Sequence, residues 1–153
     1  MKNNLLKIAS FTLIVVALLT TSCSKDTQVQ HNLETVNTWK IDQIFYQKAQ
    51  AGTSGVKAKV ATEYNCGVLV FNKDGTGSYD YMLDGQHRTG SYKWTVTAGN
   101  LTFNYAAASS TGAQAATYNI IHQTKTSVIL QGSEALVDGT GTFALDATFN
   151  LVK

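Results

Sequence analysis

Residues 79–105 read YDYMLDGQHRTGSYKWTVTAGNLTFNY, and this stretch decides the fold. Tyr79, Tyr81 and Leu83 fall on one face of a first run. Tyr92, Trp94 and Val96 share a face of the next, opposite Ser91, Lys93 and Thr95, and Leu101, Phe103 and Tyr105 line up in a third. Apolar residues recurring with period two belong on strands that bury one face. Asp84-Gly85 and Ala98-Gly99-Asn100 separate the runs, and short breaks of this kind are hairpin turns because Gly accepts φ > 0. The stretch is predicted as three consecutive antiparallel strands.

The same pattern continues on both sides. Val68-Leu69-Val70-Phe71 forms a strand stopped by the turn Asn72-Lys73-Asp74-Gly75, and further upstream Trp39, Ile41 and Phe45 mark the buried face of a first strand. Between these two lies a loop over residues 48–62, rich in Ala, Gly, Ser and Lys. Downstream, a small-residue loop over 106–114 leads to Tyr118 and Ile120, then Val128–Leu130. The last strand runs over about 142–152, with Phe143, Leu145, Phe149 and Leu151 on one face. Eight short strands joined mostly by tight turns suggest a meander, which removes its exposed edges by closing on itself. The fold class is therefore all-β, an eight-stranded antiparallel up-and-down barrel; a β-sandwich is the alternative. Asn32 is placed to cap a short helix over 31–37 that would close one end.

The chain has 153 residues, no Pro, 44% hydrophobic and 14% charged residues. This is the length of about one domain, and its composition does not suit a disordered or collagen-like chain. Its N-terminus reads as an export signal over residues 1–22. Lys2 and Lys7 precede an apolar run from Ile8 to Leu19, which is too short to span about 30 Å of hydrocarbon as a helix. Thr20-Thr21-Ser22 then supplies small residues before Cys23.

This arrangement resembles a bacterial lipoprotein signal, in which cleavage before Cys23 is followed by acylation of its thiol. Ordinary secretory cleavage is the alternative, and Cys23 and Cys66 would then be free to pair. Residues 23–32 read as the lipidated cysteine and a flexible tether, and 33–153 as the domain. Removing 1–22 takes Lys2 and Lys7 from the 12 basic residues, leaving ten against ten acids. That balance argues against nucleic-acid binding. With Cys23 acylated, Cys66 is expected as a small buried hydrophobe.

Four segments carry a family resemblance. Thr38-Trp39-Lys40-Ile41 after a short helix, Leu69 to Gly77 around the Asp74-Gly75 turn, and Gly90-Ser91-Tyr92-Lys93-Trp94 with Asn100-Leu101-Thr102-Phe103 together resemble the lipocalin-like domain of exported Bacteroidota lipoproteins. The likeness covers about residues 33–152 and rests on structural motifs. It implies a calycin-type barrel on an acyl anchor in the cell envelope, at the outer membrane on its periplasmic face or at the surface.

Motifs for chemistry are sparse. His31, His87 and His122 stand in separate segments without metal-ligand spacing, and neither CxxC nor HExxH occurs, so no metal or cofactor is expected. Gly75-Thr76-Gly77-Ser78 and Gly139-Thr140-Gly141-Thr142 lack the Lys of a phosphate loop and read as turns. Catalysis would need a pocket that brings Asp80 or Asp84 beside His87 or His122. The aromatic face of Trp39, Tyr81, Tyr92, Trp94, Phe103 and Phe149 offers two readings: rings that hold a small hydrophobic or amphipathic ligand, or rings that fill the barrel as core. A protein-interaction or inhibitor module acting through the loops at 48–62 and 106–116 is the alternative function.

Overall fold

The computed structural model describes residues 25–50, 59–106, 115–138 and 141–153. The export signal, Cys23 and much of three loops lie outside the described residues. Helix α1 covers residues 25–36. Eight strands follow: β1 (Thr38–Gln50), β2 (Lys59–Phe71), β3 (Thr76–Leu83), β4 (Gln86–Thr97), β5 (Asn100–Tyr105), β6 (Ala115–Gln123), β7 (Ser127–Asp138) and β8 (Gly141–Val152). Each pairs antiparallel with the next, and β8 pairs with β1, so the meander closes into a barrel. This is the expected fold class, and the sandwich alternative is set aside.

Local chemistry makes the turns. At Asp84-Gly85 both residues have positive φ (55° and 72°), as do Ala98 and Gly99 (51° and 77°). That is the mirror-image geometry whose twist matches the flanking strands of a hairpin. Asn37, at φ 63°, ends α1 by donating its N–H to the Leu33 carbonyl at 3.0 Å. A left-handed residue just past the last turn is a common way to stop a helix.

Several expectations are corrected. The tether expected over 23–32 is helical from residue 25, and Asn32 lies inside α1 instead of capping it. The reason is tertiary: Val29 and Leu33, four residues apart, both enter the core, and the Asp26 carboxylate accepts the N–H groups of Ala98 (2.6 Å) and Gly99 (3.0 Å). Strand β1 runs on to Gln50 and β2 starts at Lys59, so only the middle of the expected 48–62 loop is left between them. Register shifts between Ile41 and Gln43, and this bulge reverses the phase of β1. Ile44 and Tyr46 therefore point inward, while Phe45, expected to be buried, is 48% exposed.

Helix α1 sits at the end of the barrel that carries the β2–β3, β4–β5 and β6–β7 turns. The opposite end, here called the mouth, carries the β3–β4 turn. Buried residues form one continuous core from Val29 and Leu33 of α1 through Trp39, Phe71, Trp94 and Leu151 to Leu83 and Leu145 near the mouth.

Candidate functional site

Two strands carry a charged residue in step with their inward face. On β4 the inward series Trp94, Tyr92, Gly90 ends in Arg88, and on β7 the series Val128, Leu130, Gly132 ends in Glu134. Both side chains lie inside the barrel, 1% and 6% exposed. Four tyrosines surround them: Tyr79 and Tyr81 on β3, Tyr105 on β5 and Tyr118 on β6. The Tyr79 ring lies against Gly90, where a Cβ would come within 2.6 Å of its hydroxyl, so the bare backbone of β4 makes room for the ring.

Hydrogen bonding in this cluster is incomplete. The Tyr105 hydroxyl donates to Glu134 Oε2 at 3.2 Å, and the Tyr118 hydroxyl lies close enough to the carboxylate to favour its charged form. Glu134 Oε1, Arg88 Nε and Nη2, and the Tyr79 hydroxyl are buried without a protein partner. A buried polar group left unpaired costs about 1–3 kcal/mol. Groups of this kind take their partner from outside the chain, a water or a ligand.

Burial pushes the Glu134 carboxyl above its ordinary value of 4.5, and the hydroxyls of Tyr118 and Tyr105 and the Arg88 charge only partly offset this. Burial, reinforced by the Glu134 charge, likewise pushes the Tyr81, Tyr105 and Tyr118 hydroxyls up, so all three remain protonated donors.

The Glu134 shift has a sign that can be measured. The folded state holds the Glu134 proton to higher pH than the unfolded chain, so its contribution to stability falls as pH rises from the ordinary carboxylate value to the raised one. Glu134→Gln removes that dependence. Its stability relative to the natural protein, followed by urea unfolding between about pH 4 and about pH 8, is expected to improve with rising pH. A difference independent of pH would contradict the raised carboxyl.

Nearer the mouth a second polar group closes a gap in the wall. The β2–β3 ladder reaches only to the pair Gly67–Tyr81, so the tip of the β3–β4 hairpin has no backbone bonds to the upper half of β2. Side chains bridge instead. The Glu63 carboxylate accepts the Asp84 N–H at 2.9 Å and the Tyr46 hydroxyl at 3.0 Å, while Asp84 accepts Lys48 at 3.0 Å and is also paired with Lys59. Burial raises the Asp84 pKa, but the two lysines outweigh it and hold the carboxyl below its ordinary range. Lys48 Nζ also lies 4.0 Å from the Phe143 ring centroid.

The six aromatic residues singled out in the sequence occupy two levels. Trp39 and Trp94 lie toward the helix end, where Trp39 Nε1 donates to the Leu33 carbonyl (3.2 Å) and Trp94 Nε1 to the Thr76 carbonyl (3.0 Å). Tyr81, Tyr92, Phe103 and Phe149 line a cavity in the middle of the barrel, together with Leu69, Tyr79, Tyr105, Tyr118 and Leu130. Its volume is about 20 Å³, room for about one water molecule. The rings meet edge to face, Tyr92–Phe103 at 4.8 Å and Tyr118–Phe149 at 5.5 Å between centroids. At this level they pack as core around a small void.

Other sequence candidates fall elsewhere. His31 and His122 are exposed, on α1 and β6. His87 Nε2 lies 2.7 Å from Asp80, the pair that catalysis would need, but both side chains project outward, 58% and 64% exposed, and no pocket encloses them. Cys66 is buried with a free thiol, and burial pushes its pKa up. Its expected partner under secretory cleavage, Cys23, lies outside the described residues. Among the described residues no three His, Cys, Asp or Glu side chains are grouped as metal ligands.

The sequence reading missed Arg88 and Glu134. The signal was present, since each is a charged residue in phase with the apolar face of its strand.

No family model matches the chain, and no curated protein does. Among solved structures it is similar to a deswapped triple mutant of bovine odorant binding protein, at 19% identity and a TM-score of 0.41, over 80% of this chain and 74% of that one.

Proposed function

We propose that the protein is a non-catalytic binding module of the cell envelope, an exported lipoprotein whose barrel takes a small amphipathic ligand. The observation that carries this reading is the set of four buried, unpartnered polar atoms on Arg88, Glu134 and Tyr79, beside a cavity walled by aromatic rings. Rings supply apolar contact and the polar atoms fix orientation, the usual division of labour in a small-molecule site. Tyr81, Tyr92, Phe103 and Phe149 face the apolar part of the ligand, and Trp39 and Trp94 brace the closed end.

The export signal and the lipocalin-like motifs support an acyl anchor on Cys23, membership of the Bacteroidota lipoprotein group, and residence at the outer membrane. Cys23 precedes the first described residue of α1 by two positions, a span of at most about 7 Å. An anchor there holds the helix end of the barrel against the membrane and turns the mouth away from it.

A second reading, a protein-interaction module working through the loops, is favoured by the small volume of the cavity. Intact-mass spectrometry of protein taken from its native membrane separates the two. The binding module is expected to show an acyl mass that disappears in Cys23→Ala, and a small-molecule mass released only on denaturation. An acylated chain without cargo, crosslinked to an envelope protein through its loops, would replace it with the interaction module.

A further inference from the structure

Resting on the binding-module reading, the geometry points to the polar part of the ligand: a carboxylate held side-on by Arg88. Nε and Nη2 of a guanidinium lie on the same edge, and their two N–H groups run parallel at the spacing of the two oxygens of a carboxylate. In this protein both are buried and both are unpartnered. A guanidinium is charged at every physiological pH, and one shut inside a barrel needs an anion.

Glu134 does not serve as that anion at contact distance. Its Oε2 is taken by Tyr105, its Oε1 is itself unpartnered, and burial favours its neutral form. The cationic groups nearer the mouth, Lys48 and Lys59, are both paired with Asp84. Arg88 thus presents a bidentate edge that no protein group partners, and the Tyr79 hydroxyl adds a third such polar atom to the same cluster.

The same observations limit the ligand. One guanidinium balances one negative charge, which favours a monocarboxylate over a phosphate dianion beside a second acidic group. The adjoining void of about 20 Å³ has room for about one water-sized group, so a methyl fits beyond the carboxylate and a longer alkyl chain does not.

The test compares three probes of equal length on the folded, full-length mature chain: acetate, ethanol and ethylamine, titrated in turn and followed by the ring proton resonances of the tyrosines. Saturable binding of acetate is expected, with ethylamine excluded and ethanol at least about tenfold weaker, the loss of two charge-assisted hydrogen bonds. Arg88→Met, close in length and uncharged, is expected to bring acetate down to the level of ethanol. Should that variant fail to fold, Arg88→Lys keeps the charge but loses the fork, and is expected to weaken acetate while leaving ethanol unchanged.

Equal binding of acetate and ethanol to the natural protein would overturn the carboxylate assignment and leave the amphipathic reading standing. So would acetate binding that survives Arg88→Met. If none of the probes binds, the cluster holds water only and both readings fail together. Competition of inorganic phosphate with acetate at equal strength would reassign the site to anions at large.

Discussion

Trp39→Ala is expected to lower the unfolding free energy by about 3–5 kcal/mol, the range for removing a large aromatic side chain from a core. Trp39 is fully buried, and it ties two elements together. Its ring packs in the β1 wall at the helix end, and its Nε1 donates to the carbonyl of Leu33, itself fully buried on α1. Loss of the ring therefore opens a cavity and frees the helix at the same time. Urea unfolding reads the first effect and amide hydrogen exchange the second, with α1 amides expected to lose protection ahead of the barrel. Trp39→Phe keeps most of the volume and forgoes only the Nε1 bond, a loss of about 0.5–1.5 kcal/mol. The Leu33 carbonyl still accepts the Asn37 N–H in that variant. A Trp39→Ala protein within about 1 kcal/mol of the natural one would show that α1 is held by something other than this contact.

The second large effect is expected at Gly67. This residue has φ 144° and sits where β2 bends and its ladder with β3 begins. A Cβ added there would lie 2.1 Å from the Asp80 carbonyl oxygen and 2.6 Å from Tyr81 Cα. Those are backbone atoms of the neighbouring strand and cannot rotate away. Gly67→Ala combines a backbone conformation that costs about 1–3 kcal/mol for other residues with overpacking of about 1–3 kcal/mol. The sum is expected near or above about 3 kcal/mol, with the β2–β3 pairing the first to loosen. Gly85→Ala is the control. Gly85 also has positive φ, 72°, in the left-handed region, and nothing lies within 4 Å of its added Cβ, so it reports a positive-φ substitution without the clash. Equal losses at the two positions, measured by urea unfolding, would show that the close approach of β3 does not matter.

These two positions differ in how far the sequence exposes them. Trp39 is legible: it stands in phase with Ile41 on an alternating strand, and the structure buries both. Gly67 is not, because a glycine inside a strand gives no sign of which neighbouring backbone crowds it. Phe45 shows the same limit from the other side. Period-two alternation carried from Trp39 and Ile41 puts it inside, but one bulged residue is enough to turn it out, and bulges are fixed by pairing with β2 and β8.

The candidate site divides along the same line. Tyr81, Tyr92, Phe103 and Phe149 are read from alternation and do line the cavity. Arg88 and Glu134 follow from the same alternation once Trp94–Tyr92 and Val128–Leu130 are extended past an inward glycine on each strand. A charged residue in an exposed hairpin segment is ordinarily taken for surface, since charged residues are seldom fully buried. The helix is the opposite case. Residues 25–32 look like a polar tether because only Val29 is apolar among them, and their order comes from Asp26 meeting the turn at Ala98 and Gly99, more than 70 residues away.

The sequence by itself determined the number of strands, the faces they bury and the turns that join them. Those features depend on neighbours one to four residues apart, through the two-residue period of a strand and the few residue types that accept positive φ. Only the tertiary structure decided where β1 changes phase, how far α1 extends, how little space the rings leave, and that Arg88 and Glu134 both lie inside the barrel with polar atoms unpartnered. Cavity volume and the partners of a buried charge are set by side chains from strands far apart in the chain, and no local pattern records how closely they approach.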